Sequence, residues 1–239
     1  MSTNSITKIS SNSQRLIKSI LPTSILQTRL HKRIYSQFAD KIGLVYFGFV
    51  DQRKDEHRLV RGLTTSPSHR DNHYCIGSYK SYDLVLVERH DTVHFPDKPS
   101  RHHNWIIMEV DLHSSSDIPH IFIGLHSHSE TFYANLFTKF SHLNKLSLGN
   151  TGIYDKSFTN KYAIYANQSH ILEIEKIFNP EITKLIAKHF GSLTIEVYEG
   201  SLYLYAQHQR LTTNLLTTML QNSYWLASRI DNYSQASTK

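Results

Sequence analysis

A chain of 239 residues with 39% in the hydrophobic class can bury one substantial core with an appendage, but not three domains. Its single cysteine, Cys75, excludes an intramolecular disulfide, a Cys-x-x-Cys redox pair and a zinc ribbon, and suits a reducing compartment such as the cytoplasm. The net charge of +6 sits in residues 1–39, where Lys8, Arg15, Lys18, Arg29, Lys32 and Arg33 stand without an acid and the rest of the chain balances. The basic character therefore belongs to an N-terminal segment rather than to a basic domain.

No run of about 18 apolar residues, the length a spanning helix needs, occurs in the sequence. The N-terminus also lacks the apolar block of a secretory signal, so the expectation is a soluble or peripheral protein. The chain opens with "MSTNSITKISSNSQ", polar enough to predict a mobile tail. "RLIKSIL" then places apolar residues on one helical face before Pro22 interrupts it. Ser24 and Gln27 match a capping box, and Leu26, Leu30, Ile34, Phe38 and Ile42 follow at every fourth position.

This second predicted helix carries Arg29, Lys32 and Arg33 off its apolar stripe. Such a helix can dock on its own domain with the charges solvated, or lie on an anionic membrane through residues 15–39 and cations such as Lys18. It could also approach nucleic acid phosphates, which is the less favoured reading. An acid-free start with Ser and Arg has the composition of an organelle transit peptide as well.

From residue 43 the period changes to extended. "GLVYFGFV", "HRLVRGLT", "HYCIGSY", "YDLVLVERHDTVHF", "HNWIIMEVDL" and "PHIFIGL" predict successive strands, with no helical pattern between them, and hence antiparallel pairing. A helix is predicted over "TFYANLFTKF", a strand over "NKYAIYA" and a short helix over "HILEIEKIF". "NPEITKLIAKHFG" combines the cap Asn179, Pro180 at the first helical position and the stop Gly191.

In "LTIEVYEGSLYLYA" a two-residue Glu199-Gly200 turn pairs Val197 with Leu202, Ile195 with Leu204 and Leu193 with Ala206 on one face. A slip of one residue would turn that apolar set to water, which specifies the register. The closing helix "TTNLLTTMLQNSYWLASRI" should pack its Leu215, Leu216, Met219, Leu220, Leu226 and Ile230 on that face. On the other face Tyr203 and Tyr205 could stack bases, but the strands lack interleaved Lys or Arg, which disfavours nucleic acid and favours burial.

Residues 155–231 resemble an uncharacterised bacterial domain-of-unknown-function family whose members are often attached to membrane helices. The matching positions are Phe158 to Tyr162, Phe178 to Pro180, Glu199-Gly200 and the helix from Thr212. The resemblance is weaker over residues 43–125 and absent before residue 40. It implies an order of elements and brings no catalytic residue.

"HSHSE" at residues 126–130 admits two readings. On an unbroken strand His120, His126 and His128 would share a face and could hold a metal. Alternatively, Ser127 and Glu130 have capping-box spacing, which makes the stretch a helix start and scatters the imidazoles. The second reading is preferred, because a helical apolar pattern begins immediately afterwards; the remaining histidines among the 16 are scattered along the chain. G-x-G-x-x-G, the P-loop pattern and G-x-S-x-G are all missing.

The expectation is therefore an α+β fold, mainly antiparallel sheet with C-terminal helices packed on it. It divides into a basic segment over 1–40, one domain over 41–233 and a tail over 234–239. Function is expected to be that of a non-catalytic interaction or scaffold module without cofactor, with a protein or an anionic membrane surface as partner. The competing reading is a metal-dependent hydrolase built on a histidine cluster. Nothing in the pattern sets an oligomeric state.

Overall fold

The computed structural model describes residues 23–50, 60, 62, 69–95, 98–114, 118–147 and 154–237. The expected tail, the helix before Pro22, Lys18 and, apart from Val60 and Gly62, the strand expected over 57–64 lie outside the described residues, as do the side chains of residues 23–27.

Among the described residues, nine strands form one open antiparallel sheet. They are β1 (Val45–Gly48), β2 (Arg70–Tyr79), β3 (Tyr82–Phe95), β4 (Lys98–Asp111), β5 (Ile121–Leu125), β6 (Asn144–Lys145), β7 (Tyr162–Ala166), β8 (Leu193–Tyr198) and β9 (Ser201–Gln207). Their order is β1-β2-β3-β4-β9-β8-β5-β7-β6. The β8–β9 hairpin is thus inserted between β4 and β5, which joins the late part of the chain to the early meander. Six α-helices among the described residues accompany the sheet: α1 (Thr23–Ile42), α2 (Glu130–Leu136), α3 (Lys156–Thr159), α4 (Ile171–Ile177), α5 (Pro180–His189) and α6 (Thr213–Ser237).

The hairpin register is the expected one, with Val197 opposite Leu202, Ile195 opposite Leu204 and Leu193 opposite Ala206. Glu199 (φ 48°) and Gly200 (φ 79°) both adopt positive φ, which a two-residue turn matched to strand twist requires. The apolar set joins Leu84, Leu86, Ile106 and Met108 on one face of the sheet, beneath side chains of α1, α4, α5 and α6. From α6, Leu216, Met219, Leu220, Leu226 and Ile230 are buried there. That helix continues to Ser237, into the segment expected as a tail.

The opposite face builds a second cluster. Tyr203 and Tyr205, each 1% exposed, pack there with Trp105, Ile107, Phe122 and Tyr133. Their burial leaves no open aromatic platform for bases on these strands.

The helix after β5 departs from expectation in its cap. Ser129, not Ser127, is the N-cap, and its hydroxyl accepts the Phe132 amide at 3.2 Å. The chain must first turn out of β5, with the His128 amide donating to the Leu125 carbonyl, so the helix starts two residues later. Glu130 then occupies the first turn, where the helix dipole favours an acid. The helix ends at Leu136, so Phe140 lies beyond it. The Tyr133 hydroxyl donates to the Leu125 carbonyl at 2.6 Å, and a Cβ at Gly124 would lie 2.5 Å from that hydroxyl oxygen. The glycine is what lets the ring cross the strand.

Helix α1 runs through residue 40, where a boundary was expected, and Tyr35, Phe38 and Ala39 are wholly or almost wholly buried in the sheet's first cluster. Its C-terminal half is therefore part of the core. Among the described residues no helix is long and apolar enough to cross a membrane.

Candidate functional site

The N-terminal half of α1 behaves differently from the rest of the helix. Leu30 is 50% exposed, and Thr28, Arg29, Lys32 and Arg33 are exposed around it. Among the described side chains, the apolar stripe expected from the sequence thus docks from Ile34 onward. The reason lies beneath: this half of the helix stands over a polar cavity of about 590 Å³, whose lining includes His31, Tyr46, Arg70, His73, Glu88 and His90.

Strand periodicity builds the cavity floor. Glu88 and His90 alternate onto one face of β3, and the register sets Asn72 opposite Glu88, Arg70 opposite His90 and Asn104 opposite His90. Arg89, between them, projects to the other face. There it is fully buried, and its Nε and Nη2 donate to the two Asp71 carboxylate oxygens at 2.8 and 2.7 Å. Nη2 also donates to the Val60 carbonyl at 2.9 Å. This bidentate pair fixes the β2–β3 register directly under the cavity.

His73 reaches the cavity through a bulge. Between Asn72 and Cys75 strand β2 carries one residue more than β3, and His73 takes φ 59°. The extra residue lets consecutive residues 72 and 73 both line the cavity. A left-handed backbone costs a non-glycine residue roughly 1–2 kcal/mol. The ring is held by stacking on Tyr35, centroids 5.0 Å apart, and by the Tyr46 hydroxyl, 2.8 Å from Nδ1.

Three imidazoles surround the Glu88 carboxylate. His31 Nδ1 lies 2.9 Å from Oε2 and 3.2 Å from Oε1, His90 Nε2 lies 3.4 Å from Oε1, and His73 Nε2 lies 3.9 Å from Oε2. Asn104 Oδ1 is 2.8 Å from His90 Nδ1, so that nitrogen carries the proton donated to it. Burial alone would raise the Glu88 carboxyl, but hydrogen bonding from His90 and the neighbouring His31 hold it below the ordinary carboxylate range. His90 is raised, chiefly by its hydrogen bond to Glu88. His73 is lowered by burial, against the pull of Glu88, which favours its neutral form. At the rim the Arg70 guanidinium sits 5.5 Å over the Phe49 ring. Cys75 lies buried alongside, its thiol pushed up to about 12 by burial, which removes it as a nucleophile.

The histidines singled out in the sequence are placed elsewhere. His120 Nε2 lies 2.7 Å from Glu196 Oε1 and its Nδ1 lies 3.0 Å from His142, not from His126 or His128. His126 is exposed in the turn after β5, and His128 stacks on Phe132 at 4.4 Å. The break after Leu125 removes the shared strand face that would have aligned them. Among the described residues, the group offering three metal-ligand atoms within 4.8 Å of one another is His31, His73 and Glu88. Sequence spacing missed it, because His31 stands 57 residues from Glu88 and His73 enters only through the bulge. The one local signal was Glu88-x-His90 in a strand.

No family model and no curated protein matches the chain. In three dimensions it is similar to the mycobacterial trehalose monomycolate transport factor A, TtfA, at a TM-score of 0.56 and 6% identity. The likeness covers 84% of this chain and 93% of that one. It shows a shared α+β fold.

Proposed function

We propose that the protein is a non-catalytic docking module that rests on an anionic membrane surface through the N-terminal half of α1. The observation that carries this reading is the division of one helix. Tyr35, Phe38 and Ala39 are seated in the core, while Arg29, Lys32 and Arg33 face solvent around a half-exposed Leu30. A rigidly seated helix that projects cations and an apolar side chain fits an interface of phosphate headgroups and acyl chains. Each cation near such a surface contributes about 1 kcal/mol, so the trio is worth on the order of a hundredfold in partitioning. The appearance of the fold in a protein named as a transport factor is in keeping with a role played through contacts. Lys18, in the same acid-free stretch, would add to the attraction.

Truncation at residue 40 would remove buried Tyr35, Phe38 and Ala39, so charge substitution is the cleaner test. The full chain should float with vesicles of phosphatidylcholine and phosphatidylglycerol in equal parts, and not with phosphatidylcholine alone. The triple variant R29Q/K32Q/R33Q should lose flotation while keeping its melting temperature. Equal flotation of the two proteins would overturn the proposal.

A further inference from the structure

Independently of the membrane reading, the cavity beneath α1 has the composition of a transition-metal site. We propose that His31, His73 and Glu88 bind a divalent ion of the Zn²⁺ class, with His90 positioned to complete or support the ligand set. A gap separates His73 from Glu88. At 3.9 Å, Nε2 and Oε2 are too far apart for a hydrogen bond. Bonds of about 2.0–2.1 Å in a tetrahedron set neighbouring ligands roughly 3.3 Å apart. The observed separations of 2.9 Å for His31 to Glu88, 3.9 Å for His73 to Glu88 and 3.4 Å for His90 to Glu88 straddle that edge. Sub-ångström adjustments of the side chains would bring the ligands onto one ion.

The surrounding contacts orient the rings as a metal site does. His73 Nδ1 is engaged by Tyr46 and His90 Nδ1 by Asn104, and both leave Nε2 directed at Glu88. Oxygen partners on the distal nitrogen are what fix tautomer and orientation in histidine ligands. His73 is also held there by a backbone conformation that its residue type seldom adopts, and strain of this kind collects at functional sites. Two or three imidazoles with one carboxylate select zinc-class ions over Mg²⁺ and Ca²⁺, which take oxygen shells. The cavity leaves room for a further ligand beside the ion, with Arg70 at its rim to favour an anionic one.

The test uses the full chain with any affinity tag removed and metal stripped. Titration against a chromophoric zinc chelator should give one tight equivalent, and Co²⁺ should develop the visible absorption of a four- or five-coordinate nitrogen and oxygen site. The E88Q and H73N variants should lose at least tenfold in zinc affinity, whereas a H126A/H128A double variant should bind as the unaltered chain does. Zinc-edge absorption of the unaltered protein gives a readout that does not depend on variants folding, and should show two or three imidazoles. Failure to bind a stoichiometric equivalent, unchanged affinity in folded E88Q, or a shell without imidazole would each overturn the proposal.

Discussion

Glu109 shows how one buried group sets a pH dependence. Burial pushes its carboxyl up to about 7, with the Tyr203 hydroxyl donating to Oε1 at 3.0 Å and Oε2 lacking a hydrogen-bond partner among the described residues. Between the ordinary carboxylate range and about 7 the folded chain keeps this proton while the unfolded chain releases it. Stability therefore falls as pH rises through that window, by on the order of 3 kcal/mol when complete. In Glu109→Gln the melting temperature should lose that part of its pH slope and should gain on the parent at neutral pH relative to pH about 5. Parallel melting curves across the window would contradict the assignment. No sequence pattern marks this residue: strand alternation puts Glu109 opposite Tyr203, but its burial comes from a second apolar layer assembled from α2 and distant strands.

At the scale of elements, α1 joins two energetic regimes in one helix. Phe38→Ala should cost about 3–4 kcal/mol, because it opens a cavity in a packed core, whereas Leu30→Ala should change stability by less than about 0.5 kcal/mol. Denaturant titration of the two variants checks the contrast, and similar losses would mean that the N-terminal half is docked as well. The sequence displayed the helix and its period but not where docking begins, since that depends on the polar cavity beneath residue 31. Elements with self-contained signals were legible. The Asn179 cap accepts the Ile182 amide at 3.0 Å, and the Glu199-Gly200 hairpin pairs in the expected register. The Lys80-Ser81 turn, with φ of 47° and 72°, was not legible, because neither residue is a customary left-handed one. The bulge that carries His73 is hidden for the same reason. It breaks a local rule where the cavity needs a side chain, and only the paired strand shows the extra residue.

At the scale of the molecule, antiparallel pairing and the α+β class followed from runs of β-branched and aromatic residues without intervening helices. The strand order did not. Inserting β8–β9 between β4 and β5 is a long-range choice, fixed by matching apolar faces across the sheet. That insertion buries Tyr203 and Tyr205, and it puts α6 on the same face as α1. The early meander thus becomes a firm base for the projecting helix and for the cavity below it. Helix α1 is anchored through Tyr35, Phe38 and Ala39, tied to Glu88 by His31, and presents Arg29, Leu30, Lys32 and Arg33 to solvent. Amide hydrogen exchange on the full chain, with and without vesicles containing phosphatidylglycerol, tests it most directly. Residues 35–42 should be protected throughout, while residues 28–33 should exchange readily and slow only when the anionic vesicles are present. Unchanged exchange at residues 28–33, or protection that appears instead at the exposed Val45, Phe47 and Phe49, would contradict it.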